Sequence, residues 1–150
     1  MLRVNKLTDY ASVVLTVLAS APETMLSANG LAERAGLETP TVAKVLKPLA
    51  QAGLVQAFRG ATGGYRLARP ACDISLVEIV EAMEGPLAMT ECSIHDGQCG
   101  IEQSCGARAN WRRINDVVAD TLRRITLADM ALPVAETPSR KAIPVSLSAN

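Results

Sequence analysis

Aromatic side chains are nearly missing from this chain of 150 residues, where Tyr10, Phe58, Tyr65 and Trp111 make up 3% of the total. So thin a supply excludes an aromatic stacking platform for single-stranded nucleic acid, and any core must be aliphatic. Histidine occurs once, at His95. No nucleophile-and-base pairing can be assembled from the sequence, and the glycines of Gly60–Gly64 lack the lysine and following helix of a phosphate-binding loop. No small-molecule substrate and no enzymatic activity are therefore expected. Long apolar runs are missing too. The longest uncharged stretch near the start, Tyr10–Pro22, falls short of the ~20 residues a membrane-spanning helix requires, so no membrane partner is expected.

Net charge is absent as a sum, with 15 Lys+Arg against 15 Asp+Glu, but not as a distribution. Residues 1–70 hold eight basic and four acidic side chains, a balance of +4, and residues 71–150 hold seven and eleven, a balance of −4. Between Asp73 and Glu102 there are seven acids and no Lys or Arg. A basic half suited to a polyanion and an acidic half with another task is the reading this asymmetry supports. The hydrophobic content of 49% excludes disorder throughout.

Arg3 and Lys6, the apolar run Ala11–Leu18 and then Ala19-Ser20-Ala21 have the outline of a secretory signal. Asp9 interrupts that outline, and a buried first helix accounts for the run as well, so a cytoplasmic location is expected. Thr8 is the expected cap of this helix, with Asp9 at the positive end of its dipole, and the helix runs to about Ser20. Ser27 caps a second helix that stops at Gly36. Thr39-Pro40 opens a third, in which Val42, Val45, Leu46, Leu49 and Ala50 form one apolar stripe. Pro48 predicts a kink or a tightened last turn. Leu54–Phe58 and Tyr65–Leu67 read as paired strands around the tip Arg59-Gly-Ala-Thr-Gly-Gly64. Ser75 and Glu78 form a capping box for a helix ending at Gly85. Residues 90–106 have no periodicity. A long helix, Ala107–Ile125, carries a stripe of Trp111, Ile114, Val117 or Val118, Leu122 and Ile125. Thr126–Asp129 opens one short turn. From 131 onward, scattered Pro, Ser and Thr predict a disordered tail.

Two short helices joined by Gly36-Leu37-Glu38 and followed by a hairpin with a basic tip form the layout of a winged helix-turn-helix. The B-DNA major groove, ~12 Å wide, admits one helix whose polar face carries hydrogen-bonding groups. Thr39, Thr41, Lys44 and Lys47 occupy that face. Arg59, on a tip narrowed by Gly60 and its neighbours and flanked by Thr62, suits the negative potential of the minor groove. A small α/β module with a solvated charged face is the plainer alternative. The agreement of element order, basic excess and arginine-glycine tip favours binding to double-stranded DNA.

Four cysteines occur, Cys72, Cys92, Cys99 and Cys105. Three of them fall within fourteen residues as Cys92-x6-Cys99-x5-Cys105. Three thiolates on a glycine-bearing loop can converge on zinc or an iron–sulfur cluster. The tight Cys-x2-Cys knuckles of zinc fingers are missing, and a thiol-redox switch or a zinc staple stays open. A fourth ligand is left unassigned, with His95 the local candidate and Asp9 a more distant one, while Cys72 reads as a structural thiol.

Taken together, residues 1–130 resemble the IscR/NsrR-type family of iron–sulfur winged-helix regulators, and among them those of the SUF cluster-assembly operon. The resemblance rests on Leu7-Thr-Asp-Tyr-Ala11, on Gly53-Leu-Val, on Arg59-Gly60 with Gly63-Gly64-Tyr65, and on Ile74–Ala82. It rests further on the triple cysteine, on Trp111 and on Ile125–Asp129. It implies a mainly α fold with a small β-hairpin wing, a winged helix-turn-helix plus a long dimerisation helix that crosses its twin. Its divisions fall at 1–70 for DNA binding, 71–106 for a linker helix and the cysteine loop, 107–130 for dimerisation and 131–150 for the tail. It implies a homodimer on a pseudo-palindromic operator, with Cys92, Cys99 and Cys105 holding the cluster. Family members with a histidine after the third cysteine have no counterpart here, since Arg108 and its neighbours supply none. Members with an aspartate at the start of the first helix do match, at Asp9, which favours Asp9 from the second subunit and a [4Fe–4S] over a [2Fe–2S] centre. Ala43 stands where some members carry an acidic base-reading residue, so operator preference does not transfer.

Overall fold

The structure, a computed structural model, describes residues 3–90, 93, 100–101 and 104–132. Its elements run α1 (Lys6–Ala19), α2 (Ala28–Ala35), α3 (Thr39–Gln51), β1 (Val55–Phe58), β2 (Gly64–Leu67), α4 (Leu76–Glu84), α5 (Arg108–Arg124) and α6 (Leu127–Ala131). A single 3-10 turn, Ala71–Asp73, joins the hairpin to α4. The fold is thus mainly helical with one two-stranded antiparallel hairpin, as expected, and among the described residues no helix is long and apolar enough to cross a membrane.

α1 is the hub. It packs against α2, α3, α4, α6 and β2, and that explains why it is apolar nearly all round: Ala11, Val14, Leu15 and Leu18 are fully buried. α3 adds Val42, Val45, Leu46 and Leu49 to the same core, joined by Leu31, Leu54, Ile74, Ile79 and Leu127. Side chains of this size each stabilise the fold by about 1.5–3 kcal/mol when withdrawn from water.

The start of α1 differs from the sequence expectation. Asn5, not Thr8, is the cap, its Oδ1 accepting from the backbone of Leu7 at 2.8 Å and of Thr8 at 3.0 Å. The helix therefore begins three residues earlier and Thr8 is carried inside it, 1% exposed. α3 likewise begins one position early. Glu38 is its cap residue, its carbonyl accepting from Thr41 and Val42, so Thr39 is already helical and Pro40 lies within the first turn.

α3 continues through Pro48 to Gln51. Its last turn tightens, with the Gly53 N–H donating to the Ala50 carbonyl at 3.1 Å. Ser27 caps α2 through its hydroxyl, and Gly36 closes it at φ 65, a left-handed conformation that glycine adopts without cost. β1 and β2 pair in register from Val55↔Leu67 to Phe58↔Gly64. Leu26 exchanges two backbone bonds with Tyr65, at 3.0 and 2.8 Å, which fastens the hairpin to the segment ahead of α2.

The capping boxes at Ser75/Glu78 and Thr126/Asp129 both form. An isolated bridge joins Ser75 to Thr126, so α6 returns to the start of α4. α5 packs on α4 through a face that buries Asn115 and Ala119. Of the apolar stripe foreseen on α5, Trp111, Ile114, Val117 and Ile125 are exposed, Val117 at 61%, while Leu122 and the alternative Val118 are half-buried.

Candidate functional site

The polar face of α3 is built by default. Once Val42, Val45, Leu46 and Leu49 face the core, the 3.6-residue period turns positions 40, 43, 44, 47 and 51 outward, and all five are exposed. Lys44 and Lys47 therefore project from this face, with Thr39 and Thr41 half-buried at its start. Among the described residues neither lysine makes an ion pair, so their charge is available to an external anion.

The wing tip presents Arg59, Gly60 and Thr62, all exposed. Gly60 has φ 117, and a Cβ added at Gly63 would lie 2.3 Å from the Phe58 carbonyl oxygen. The tip is consequently a turn that only glycine at these positions permits. The solvent face of the hairpin carries a feature that the sequence reading missed. The Arg66 guanidinium lies 4.7 Å from the Phe58 ring centroid and donates to Gln56 Oε1 at 3.4 Å. Alternation in β2 was the available signal, since Tyr65 and Leu67 face inward and place Arg66 outward. Arg69 is committed elsewhere. Its Nη2 donates to Glu78 Oε1 at 2.7 Å, tying the end of the hairpin to the capping box of α4. Partial burial pushes the Glu78 carboxyl up, but bonds from the Ser75 backbone, Arg69 and the Ser75 hydroxyl together outweigh it and hold the group below its ordinary value.

On the acidic side, Asp9 is exposed on the first turn of α1. One residue earlier, the Thr8 hydroxyl donates to Glu84 Oε1 at 2.6 Å, and the Asn5 N–H donates to the same oxygen at 3.0 Å. These two bonds hold the Glu84 carboxyl below its ordinary value, the Thr8 hydroxyl contributing more. Sequence reasoning missed this contact, which spans 76 positions and has no local signature. Cys105 is half-buried and its carbonyl accepts from the Arg108 N–H at 3.4 Å, at the head of α5. Cys92, Cys99 and His95 lie outside the described residues, as do positions 133–150 of the expected tail. Cys72 is exposed on the 3-10 turn, its thiol 3.7 Å from Asp73 Oδ1, and so is no core thiol.

A helix-turn-helix with an outward basic face and a glycine-tipped hairpin beside it defines a winged-helix DNA-binding transcription regulator. Residues 4–133 match the family model of Rrf2, described as an iron-dependent transcriptional regulator, and this chain belongs to that family. It is a family of transcription regulators, not of enzymes. Protein aau3 of Rhizobium meliloti (strain 1021) is 34% identical over 130 residues, 86% of this chain and 84% of that protein.

Solved structures agree. CymR (YrzC), the global cysteine regulator of B. subtilis, is 30% identical, with a TM-score of 0.68 over 87% of this chain and 97% of its own. T. potens IscR is 32% identical, with a TM-score of 0.64 over 86% of this chain and 85% of its own.

Proposed function

We propose that this regulator acts as a homodimeric repressor whose affinity for a pseudo-palindromic operator follows the state of an iron–sulfur cluster. Oxidative or nitrosative stress is the signal, and iron–sulfur assembly (suf) genes are among the targets. The observation that carries the reading is three thiols within fourteen residues in a chain whose family is described as iron-dependent. Thiolates are the donors that iron–sulfur clusters take, and the donor set present fits that group. Cys92, Cys99 and Cys105 supply three ligands, and Asp9 of the partner subunit supplies the fourth to a [4Fe–4S] centre. The exposure of Asp9 on α1 suits a ligand that reaches beyond its own subunit. When bound, such a group supplies iron that reacts with oxygen or nitric oxide. A carboxylate binds iron less tightly than a thiolate, which makes Asp9 the weakest of the four donors.

In this reading residues 1–70 bind DNA, 71–106 carry the linker helix and cysteines, and 107–130 dimerise. Thr39, Thr41, Lys44 and Lys47 meet the major groove, while Arg59, Gly60 and Thr62 meet the minor groove. The exposed stripe of α5 supports self-association, because an apolar face of that length in water favours an apolar partner, and a second copy presents the same face.

The experiment is an anaerobic absorption spectrum with iron and sulfide analysis, repeated with Cys92, Cys99 and Cys105 each changed to alanine. A brown protein with equal iron and sulfide, bleached by each change, supports the reading. Comparing Asp9→Ala with His95→Ala then assigns the fourth donor. A colourless chain holding zinc, or one that loses DNA binding on reversible disulfide formation without metal, overturns the cluster and leaves the DNA interface standing.

A further inference from the structure

Among the described residues, two polar side chains are buried, Thr8 and Asn115. They belong to different helices, yet both are satisfied by one short stretch of chain, residues 84–89. Thr8 of α1 donates its hydroxyl to Glu84 Oε1 at 2.6 Å, where the Asn5 N–H also arrives at 3.0 Å. Asn115 of α5 accepts from the Met89 N–H at 3.1 Å through Oδ1. Between these points Glu81 Oε1 accepts from the Leu87 N–H at 3.3 Å, holding the stretch against the last turn of α4. A buried polar group is costly unless it is bonded, so both side chains are tolerated only while this stretch keeps its place. Cys92 follows Met89 by three residues.

We propose that residues 84–89 form a strap with two anchors, and that Thr8, acting through Glu84, and Asn115 are positioning residues that fix the start of the cysteine segment on α1 and α5 together. α1 packs directly on α3, and α5 carries the stripe assigned to self-association. The strap therefore joins the DNA-binding half at one end to α5 at the other, and a change in its position is passed to both. Only this consequence for DNA affinity rests on the cluster reading; the coupling of the two anchors stands apart from it.

The test uses the full chain in cluster-free form and reads amide hydrogen exchange. Glu84→Ala removes one anchor at an exposed position, and a far-UV circular dichroism spectrum like wild type is required of it before exchange is read. Exchange is expected to rise at least about fivefold at Asn5, where a bond is lost, and also at Met89, at the far anchor, as one cooperative unit requires. Glu84→Gln keeps an acceptor oxygen and is expected to restore Met89 protection to within about twofold. Exchange that rises at Asn5 alone, with Met89 unchanged, overturns the proposal. In iron-loaded protein, Glu84→Ala is expected to bring the loaded-to-free ratio of operator affinities to within twofold of one, and an unaltered ratio overturns the link to DNA binding. If the wild-type chain takes up no iron, the cluster reading fails, and the exchange result still judges the strap.

Discussion

α3 and α5 are both amphipathic helices with basic residues on their polar faces, but they end in opposite situations. α3 buries four aliphatic side chains among its thirteen residues, whereas α5 buries only Asn115 and Ala119 among seventeen and leaves Trp111, Ile114, Val117 and Ile125 in water. One helix is completed by its own chain. The other leaves an apolar face exposed, which a second copy would cover under the proposed dimer. The DNA-reading helix is thus closed into a core that also takes Ile74, Ile79 and Leu127 from the half that follows, whereas α5 contributes little to it.

The sharpest way to break this contrast is to empty one core and leave the other region alone. Leu49→Ala removes a fully buried side chain and is expected to cost about 2–5 kcal/mol, read as a lower midpoint in chemical denaturation. Val117→Asp should do the reverse. It leaves the unfolding of the winged helix near wild type while weakening self-association by about 2 kcal/mol or more, visible as a monomer by sedimentation at micromolar concentration. If Val117→Asp stays dimeric, the exposed stripe is not the contact between copies.

A smaller effect separates the two groups of basic residues. Lys44→Ala and Arg59→Ala should each lose about 1–3 kcal/mol of operator binding, and a lost phosphate contact reduces the slope of affinity against salt by roughly one. Arg123→Ala, whose guanidinium is occupied by Asp120 at 2.7 Å on α5, should leave both unchanged. Fluorescence anisotropy across a salt series measures the three variants together.

The smallest effect concerns the joint between the regions. The folded pKa of Glu78 is depressed, so its contribution is present above the ordinary carboxylate value and is lost as pH falls through its own lower value. Both partners of its ion pair are more than one-third exposed, which limits the pair to about 0.5 kcal/mol or less after screening. Glu78→Gln should flatten that acid limb of the stability curve, and an unchanged limb would show that the pair with Arg69 contributes nothing.

Much of this was legible in the residues. The stripe Val42, Val45, Leu46, Leu49 places Lys44 and Lys47 outward with no further information, because helical period alone decides it. Ser27, Gly36, the Ser75/Glu78 box and the glycines of the wing are local signals, satisfied within a few residues. The cap of α1 was misplaced because Asn5 and Thr8 are both good caps on local grounds, and the partner that the Thr8 hydroxyl takes inside the helix, Glu84, lies 76 positions away. Arg66 and Arg69 illustrate the same limit: two basic residues of one hairpin, one stacked over Phe58 on the solvent face and one spent on Glu78.

By itself, the sequence determined which elements form, which of their faces are apolar, and that three thiols and a basic helix face belong to one chain. Those are properties of short-range periodicity, capping and composition. Only the tertiary structure decided that α1 would be the hub, that Thr8 and Asn115 would be buried and answered by one strap, and that the stripe of α5 would remain uncovered. Such outcomes depend on hydrogen bonds and packing between residues far apart in the chain, where no periodic pattern records the partner.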